Sequence, residues 1–252
     1  MREKADRELT GRVALVTGGS RGIGAATARA LAAAGASVAI SHAASPDDAE
    51  EVVNALRRAG ARAWAHRADQ ADPDQVTRLV NAVAQRCGRL DILVNNAAAY
   101  VTGEIGGDTD PAEFARQLAV NVGGVTAATR AAARHLGDGG RIITVGSHLS
   151  TRTGFPGVAD YAATKAAITG YTKGAARDLA PRGITVNEVQ PGSVATAMNP
   201  PNGPSAPAQR ALNAMGRFGT PEEIAAGITF LATPAASFIT GTTLTIDGGY
   251  LA

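Results

Sequence analysis

Tyr161 and Lys165 stand four apart in Tyr161-Ala162-Ala163-Thr164-Lys165, and the apolar Ala166, Ala167 and Ile168 follow. On a helix, positions i and i+4 share a face one turn apart, which brings an ammonium beside a phenol. A free phenol titrates near pH 10 and is a poor proton donor or base at neutral pH. A unit charge about 4 Å away, at an effective dielectric of about 20, is worth roughly 4 kcal/mol, or about three pKa units as an upper bound. The pair could therefore make a phenol that works as general acid or base. The spacing alone is common, because an ordinary helix with an exposed lysine and a packed tyrosine shows it too. Chemistry at this pair needs a cofactor and a second polar group from elsewhere in the chain.

A cofactor signal lies near the start. Arg12 to Thr17 is a short apolar run that stops at glycines and reads as a buried strand. Thr17-Gly18-Gly19-Ser20-Arg21-Gly22-Ile23-Gly24 follows, then helix-forming residues from Ala25 to Ala34 and a terminating Gly35. Strand, glycine turn and helix make the first half of a nucleotide-binding βαβ unit, in which glycines admit a pyrophosphate to the free N–H groups of the helix start. The spacing G-x-x-x-G-x-G differs from the generic G-x-G-x-x-G fingerprint. The second strand, Ser37 to Ile40, runs into Ser41-His42-Ala43-Ala44-Ser45 with no acid before Asp47. An acid there would bind the adenosine ribose hydroxyls of NAD. A 2′-phosphate would instead be welcomed by Arg21 and the hydroxyls of Ser41 and Ser45, so the sequence favours NADP(H). His42 could stack on adenine, touch the phosphate, or stand neutral in solvent.

The remaining elements alternate. Ser45-Pro46-Asp47-Asp48 opens a helix with Ser45 as N-cap, ending near Gly60. Residues 61–66 form a third strand, Pro73 to Arg86 a helix, and Asp91 to Val94 a fourth strand running into Asn95-Asn96-Ala97-Ala98. Residues 99–110 read as a polar loop. A long helix is expected from Pro111 to Leu136, with Asn121 and Val122-Gly123-Gly124 marking a local distortion, since asparagine competes for backbone hydrogen bonds. A fifth strand, Arg141 to Val145, ends at Gly146-Ser147, and the Tyr161 helix spans about Asp160 to Ala180. Ile184 to Val189 is a sixth strand stopped by Pro191-Gly192, Thr220 caps a helix to about Ala232, and Thr242 to Ile246 is a seventh strand. Such alternation predicts a single-domain Rossmann-type fold: a doubly wound, seven-stranded parallel sheet with helices on both faces. Residues 1–10 read as a solvated tail, 11–252 as the dinucleotide-binding catalytic domain, and 193–215 as a mobile substrate flap. The glycine turn, Asn95, Ser147 and Pro191-Gly192 all follow strands, so all lie on the ligand-binding edge.

Composition narrows the class. The chain has 252 residues, 45% hydrophobic and 18% charged, which fits one large α/β domain or two small ones. A net charge of +2 with scattered charges gives no case for nucleic acid or an anionic membrane. The single cysteine, Cys87, reads as a half-buried structural thiol. No apolar stretch approaches a membrane span, and a cytoplasmic protein is expected.

Taken together, these residues resemble the short-chain dehydrogenase/reductases over nearly the whole chain, and within them the 3-oxoacyl-[acyl-carrier-protein] reductases and their small-ketone relatives. Residues Thr17 to Gly24 match T-G-x-x-x-G-I-G, Asn95-Asn96-Ala97 matches N-N-A-G with Ala98 in place of the last glycine, and Pro191-Gly192 with Thr196 matches P-G-x-x-x-T. Asn121, Ser147, Tyr161 and Lys165 match the family's catalytic Asn-Ser-Tyr-Lys set. The resemblance implies that Gly18, Ser20, Arg21, Gly22, Ile23, Gly24, Ser41, His42, Ser45, Asp69, Gln70, Asn95, Ala97, Tyr161, Lys165, Pro191, Gly192, Val194 and Thr196 hold NADP(H), with Asp69 near the adenine and Thr196 near the nicotinamide carboxamide. It implies that Ser147 holds a carbonyl oxygen, Tyr161 protonates it, Lys165 lowers the Tyr161 pKa and binds the nicotinamide ribose, and Asn121 holds a water linking Lys165 to solvent. A small-molecule carbonyl substrate, no metal, and a homotetramer or homodimer are further implications.

Two other functions stay open on the sequence. One is an NAD-dependent secondary-alcohol dehydrogenase, disfavoured by the missing acid after Ile40. The other is a catalytically idle NADP-binding regulatory protein on the same fold. The substrate itself is not legible: His148, the loop Thr151 to Pro156 and the flap residues Met198 and Met215 suggest a mixed, moderately apolar pocket.

Overall fold

The computed structural model describes residues 7–252. Seven parallel strands form one sheet in the order β3-β2-β1-β4-β5-β6-β7: β1 is Val13–Val16, β2 Ser37–His42, β3 Ala63–Arg67, β4 Leu90–Asn95, β5 Leu136–Val145, β6 Thr185–Pro191 and β7 Thr243–Ile246. Strands β1 and β4 are buried throughout, as expected for strands with helices on both faces. Alternate residues divide between two cores. Ala14, Val16, Val38 and Ile40 pack on the side of α1 (Gly22–Ala33), α2 (Pro46–Arg58) and α8 (Pro221–Ala232). Val13, Leu15, Ala39 and Leu93 pack on the side of α3 (Pro73–Cys87), α5 (Val125–Ala133) and α6 (Ala159–Leu179). Leu15, Leu31, Ile40, Leu93 and Ile142 are sealed from solvent, each worth about 1.5–3 kcal/mol over exposure.

Strand order reverses direction between β1 and β4, and this switch point opens a crevice at the carboxyl ends of the strands. Register pins the crevice walls: Ala14 lies opposite Ile92 and Val16 opposite Val94, so the β1 and β4 turns leave the sheet side by side. Three helix starts, those of α3, α4 (Pro111–Leu118) and α8, are capped by side chains. Asp72 accepts from the N–H groups of Asp74 and Gln75, Asp110 from Ala112, and Thr220 forms a reciprocal box with Glu223. Ser45 precedes α2 as the sequence suggests, but its hydroxyl makes no cap bond.

The structure corrects three expectations. The helix expected over 111–136 is broken: α4 spans Pro111–Leu118, a π-helical segment spans Ala119–Gly124, α5 ends at Ala133, and Leu136 already begins β5. The distortion expected at Asn121 is this π segment. The start of β5 is masked in the sequence by Gly137, Gly139 and Gly140, and the register with β4 shifts between Leu90 and Ile92. Leu9 is docked rather than solvated: its N–H donates to Ala34 O and its side chain lies in the core, while Arg7, Glu8 and Thr10 are exposed. Arg2, Glu3, Lys4 and Asp6 lie outside the described residues. The segment expected as a flap is not irregular throughout but carries α7 (Ala206–Leu212); within it Asn199 and Gln209 pair through amide hydrogen bonds of 2.9 Å, and Val194 bridges to Gly219. Among the described residues no helix is long and apolar enough to cross a membrane.

Candidate active site

The crevice is a cavity of about 430 Å³, within the usual range for small-molecule sites. At one end lies the β1–α1 turn. Gly18 has φ of +64°, and a Cβ there would sit 2.8 Å from the Ala97 Cα, so both its backbone angle and its neighbour require glycine. The Thr17 hydroxyl accepts from the N–H groups of Asn96 and Ala97 (3.0 and 3.1 Å), and the Asn96 amide donates to Thr17 O and Gly18 O (both 2.9 Å). These bonds lock the two turns into one wall. Helix α1 has no side-chain cap and no acid in its first turn, so its orphan N–H groups are left for an anion.

The same end carries Ser20, Arg21, Gly22, Ile23, Ser41, His42 and Ser45 on the cavity wall. No carboxylate pairs with Arg21 among the described residues. The Ser41 hydroxyl accepts from the Gly18 N–H at 3.3 Å, and His42 Nδ1 is buried without a partner. Burial, and then the Arg67 guanidinium, lower the His42 pKa and keep the imidazole neutral near pH 7. Asp69 and Gln70 line the next stretch. The Asp69 carboxylate is gripped by the Arg116 guanidinium (3.0 and 3.1 Å), which with the Ala71 N–H holds its pKa below the usual range. An uncapped helix start, an unpaired arginine, free hydroxyls and an orphan imidazole nitrogen fit a phosphorylated dinucleotide.

Ser147, Tyr161 and Lys165 line the same cavity, as do Pro191, Gly192 and Val194, while Ala97 and Thr196 line it beside Gly18 and Gly22 of the glycine turn. Ser147 leaves the end of β5 in extended backbone, and its Oγ accepts from the Leu149 N–H at 3.2 Å. Tyr161 and Lys165 share one face of α6, both buried. Lys165 Nζ donates to Val145 O at 2.9 Å and lies 5.7 Å from the centre of the Tyr161 ring. Burial pushes the phenol pKa up, the Ser147 hydroxyl opposes this, and the Tyr100 ring packs edge-on at 4.8 Å. Burial also lowers Lys165 to about 8, against the attraction of Glu188, which raises it. Desolvation of the phenol thus outweighs the lysine field that the sequence suggests.

Three residues picked from the sequence lie off the wall. The Asn121 side chain is engaged: Oδ1 accepts from the Ala99 N–H (2.8 Å), and Nδ2 donates to Ala99 O and Thr164 Oγ1 (both 3.0 Å). It pins the π segment to α6 one residue before Lys165, and one acceptor site of Oδ1 remains. Asn95 turns into the protein, its amide donating to Thr129 and Thr144 hydroxyls (3.2 and 3.3 Å). Gly24 packs against Gly18 O, where a Cβ would overlap it, and so serves the turn rather than the cavity. Ala98, where the motif has glycine, does line the cavity.

Residues the sequence did not single out complete the wall: Tyr100, Arg116, Leu149, Asn199 and Gln209. Tyr100 comes from a loop with no periodicity, and the Arg116–Asp69 pair spans 47 residues, so no local signal marks either. His148, weighed above as a pocket residue, does line it: its Nδ1 lies 2.8 Å from Pro191 O and its ring packs 4.2 Å from that of Tyr250.

Known proteins match this architecture along the chain. The family model described as Enoyl-(Acyl carrier protein) reductase matches residues 18–251. The chain is 41% identical over 249 residues to the 3-oxoacyl-[acyl-carrier-protein] reductase of Synechocystis sp., covering 96% of this chain and 97% of that one. It is 42% identical over 242 residues to the cyclic-di-GMP-binding biofilm dispersal mediator protein of Escherichia coli K12, covering 96% and 98%. A short-chain dehydrogenase from Burkholderia cenocepacia, solved in complex with NADP, superposes with a TM-score of 0.96 at 51% identity, covering 97% of this chain and all of that one. With a family model matched over 18–251 and relatives of this identity aligned end to end, the chain belongs to the short-chain dehydrogenase/reductase family and is an oxidoreductase.

Proposed function

We propose that the chain is an NADPH-dependent reductase that converts a ketone or 3-oxoacyl group to a secondary alcohol. The observation that carries this is the convergence of Ser147, Tyr161 and Lys165 on one end of a cavity whose other end holds Arg21, Ser41 and Ser45 around an uncapped helix start. The NADP-bound neighbour and the ketoacyl reductase relative support it. When bound, the dihydronicotinamide supplies hydride to the carbonyl carbon. Ser147 Oγ donates to the carbonyl oxygen and stabilises the charge that builds there. Tyr161 gives its proton to the same oxygen; its burial keeps the phenol protonated near pH 7, the form a donor needs. Lys165 faces the phenol and carries the charge that offsets the phenolate after transfer. Asn121 acts through its hydrogen bonds, by fixing the π segment against α6.

A panel of ketones and 3-oxoacyl thioesters, with NADPH and NADH consumption followed optically, tests this. Tyr161→Phe is expected to lower kcat at least a hundredfold, at the lower end for a lost general acid, while NADPH binding by fluorescence stays within about threefold. Turnover near that of the parent in Tyr161→Phe would sink the assignment. A second reading, a nucleotide-binding regulator, draws on the Escherichia coli relative. Absence of turnover across the whole panel, with NADPH bound, would favour it.

A further inference from the structure

Glu188 lies in β6 with no solvent exposure, an acid inside a parallel sheet between β5 and β7. A carboxylate in such a place is costly unless donors and an opposite charge meet it. Donors do meet it. Oε2 accepts from Thr243 Oγ1 at 3.2 Å and Oε1 from Gln190 Nε2 at 3.3 Å. Thr169, one turn beyond Lys165 on α6, is a further donor in reach. Gln190 is itself fixed, donating to Ser150 Oγ at 2.7 Å and accepting from Thr151 Oγ1 at 3.2 Å. Room for the carboxylate comes from Gly146, where a Cβ would overlap Glu188 Oε1. Gly146 joins Val145, whose carbonyl accepts from Lys165 Nζ, to Ser147. The carboxylate and the ammonium therefore flank the same stretch of backbone at the end of β5, directly behind the reacting groups. Among the described residues they form no direct ion pair within 4 Å, and Lys165 is the charged group that acts on Glu188.

We propose that Glu188 is the internal counter-charge of Lys165, a positioning residue that keeps the lysine protonated and held against the end of β5 while the site works. It touches neither substrate nor cofactor and acts through Lys165. Burial is the larger influence on both groups, raising Glu188 and lowering Lys165; against it Glu188 pulls Lys165 up, and Lys165 with the three donors pulls Glu188 down. Loss of the carboxylate leaves the ammonium with desolvation alone and lowers its pKa further. The proposal rests on the reductase reading for its catalytic consequence, but not for its electrostatic one.

Lys4, Lys165 and Lys173 are the chain's lysines, so lysine labelled with 13C at Cε gives a resolvable spectrum. The labelled protein is titrated from acid to alkaline pH, with and without saturating NADPH, as parent, Glu188→Gln and Thr243→Val. The Lys165 midpoint is expected to fall by on the order of one pH unit in Glu188→Gln, as for loss of a nearby opposite charge. It should fall by less in Thr243→Val, which removes one donor, raises the Glu188 pKa further and so depopulates the carboxylate. The alkaline limb of kcat/KM for the best ketone of the panel should move the same way, while Lys173 stays fixed. A Lys165 midpoint unchanged in Glu188→Gln would overturn the proposal; if that variant does not fold, an unchanged midpoint in Thr243→Val does so. If the parent turns over no ketone, the reductase reading fails while the titration still decides the role of Glu188.

Discussion

At the scale of single residues, the site is governed by which charges are compensated. Among the described residues Arg21 has no carboxylate partner, and it lines the cavity with the Ser41 and Ser45 hydroxyls at the start of α1. A 2′-phosphate there would gain charge-assisted hydrogen bonds worth about 1.5–3 kcal/mol. Arg21→Ala is expected to lower the NADPH-over-NADH ratio of kcat/KM by roughly tenfold to a hundredfold, mostly through KM for NADPH. An unchanged ratio would show that the arginine does not read the phosphate. The same accounting explains why the i, i+4 spacing of Tyr161 and Lys165 showed a shared face but not the pKa directions. Both side chains are buried, and desolvation pushes the phenol up and the ammonium down to about 8.

At the scale of elements, what holds the sheet is also what places the turns. Asp91 opens β4 and ties it to β1: its carboxylate accepts from the Val13 N–H and from Arg12 (both 2.9 Å), and from Arg89 (2.6 and 2.8 Å). These partners hold its pKa below the ordinary carboxylate value despite burial. A depressed folded pKa means stability that is present above the unfolded value near 3.9 and lost as pH falls through the folded one. Asp91→Ala is expected to cost about 1–3 kcal/mol near pH 7, chiefly by stranding the Val13 N–H. For a chain of this size that is several degrees of Tm, at roughly 2–4 °C per kcal/mol. Below pH 3 the gap between parent and variant should narrow. Thermal unfolding at both pH values checks this, and an equal gap at both would show that the carboxylate charge contributes nothing. The π segment makes a similar point. Asn121 and the two glycines marked a disturbance in the sequence, but its type depends on Thr164 and Ala99, which approach only in the fold.

At the scale of the whole molecule, the cavity couples ligand to stability, since its walls come from the ends of β1, β2, β4, β5 and β6 together. NADPH at a hundred times its Kd is expected to stabilise the fold by about 2.7 kcal/mol, and NADH at the same concentration by less. Equal Tm shifts for the two would count against the 2′-phosphate reading. Phe238 is fully exposed and Phe230, on α8, half-exposed. The association we propose rests on the family resemblance, and light scattering on the purified chain tests it. The linear chain determined much by itself. Strand and helix alternate by hydrophobic period and a glycine turn follows a buried strand, so fold class and cofactor type were legible without coordinates, and the order of Ser147, Tyr161 and Lys165 carried the proposal for the reacting residues. These are local properties, set by backbone sterics and periodicity. The tertiary structure alone decided which polar groups face the cavity and which are spent on packing. Asn95, Gly24 and the Asn121 amide serve the frame, whereas Tyr100, Arg116 and His148 join the wall. It alone set Glu188 behind Lys165, because burial and long-range charge arise only when distant strands and helices exclude water together.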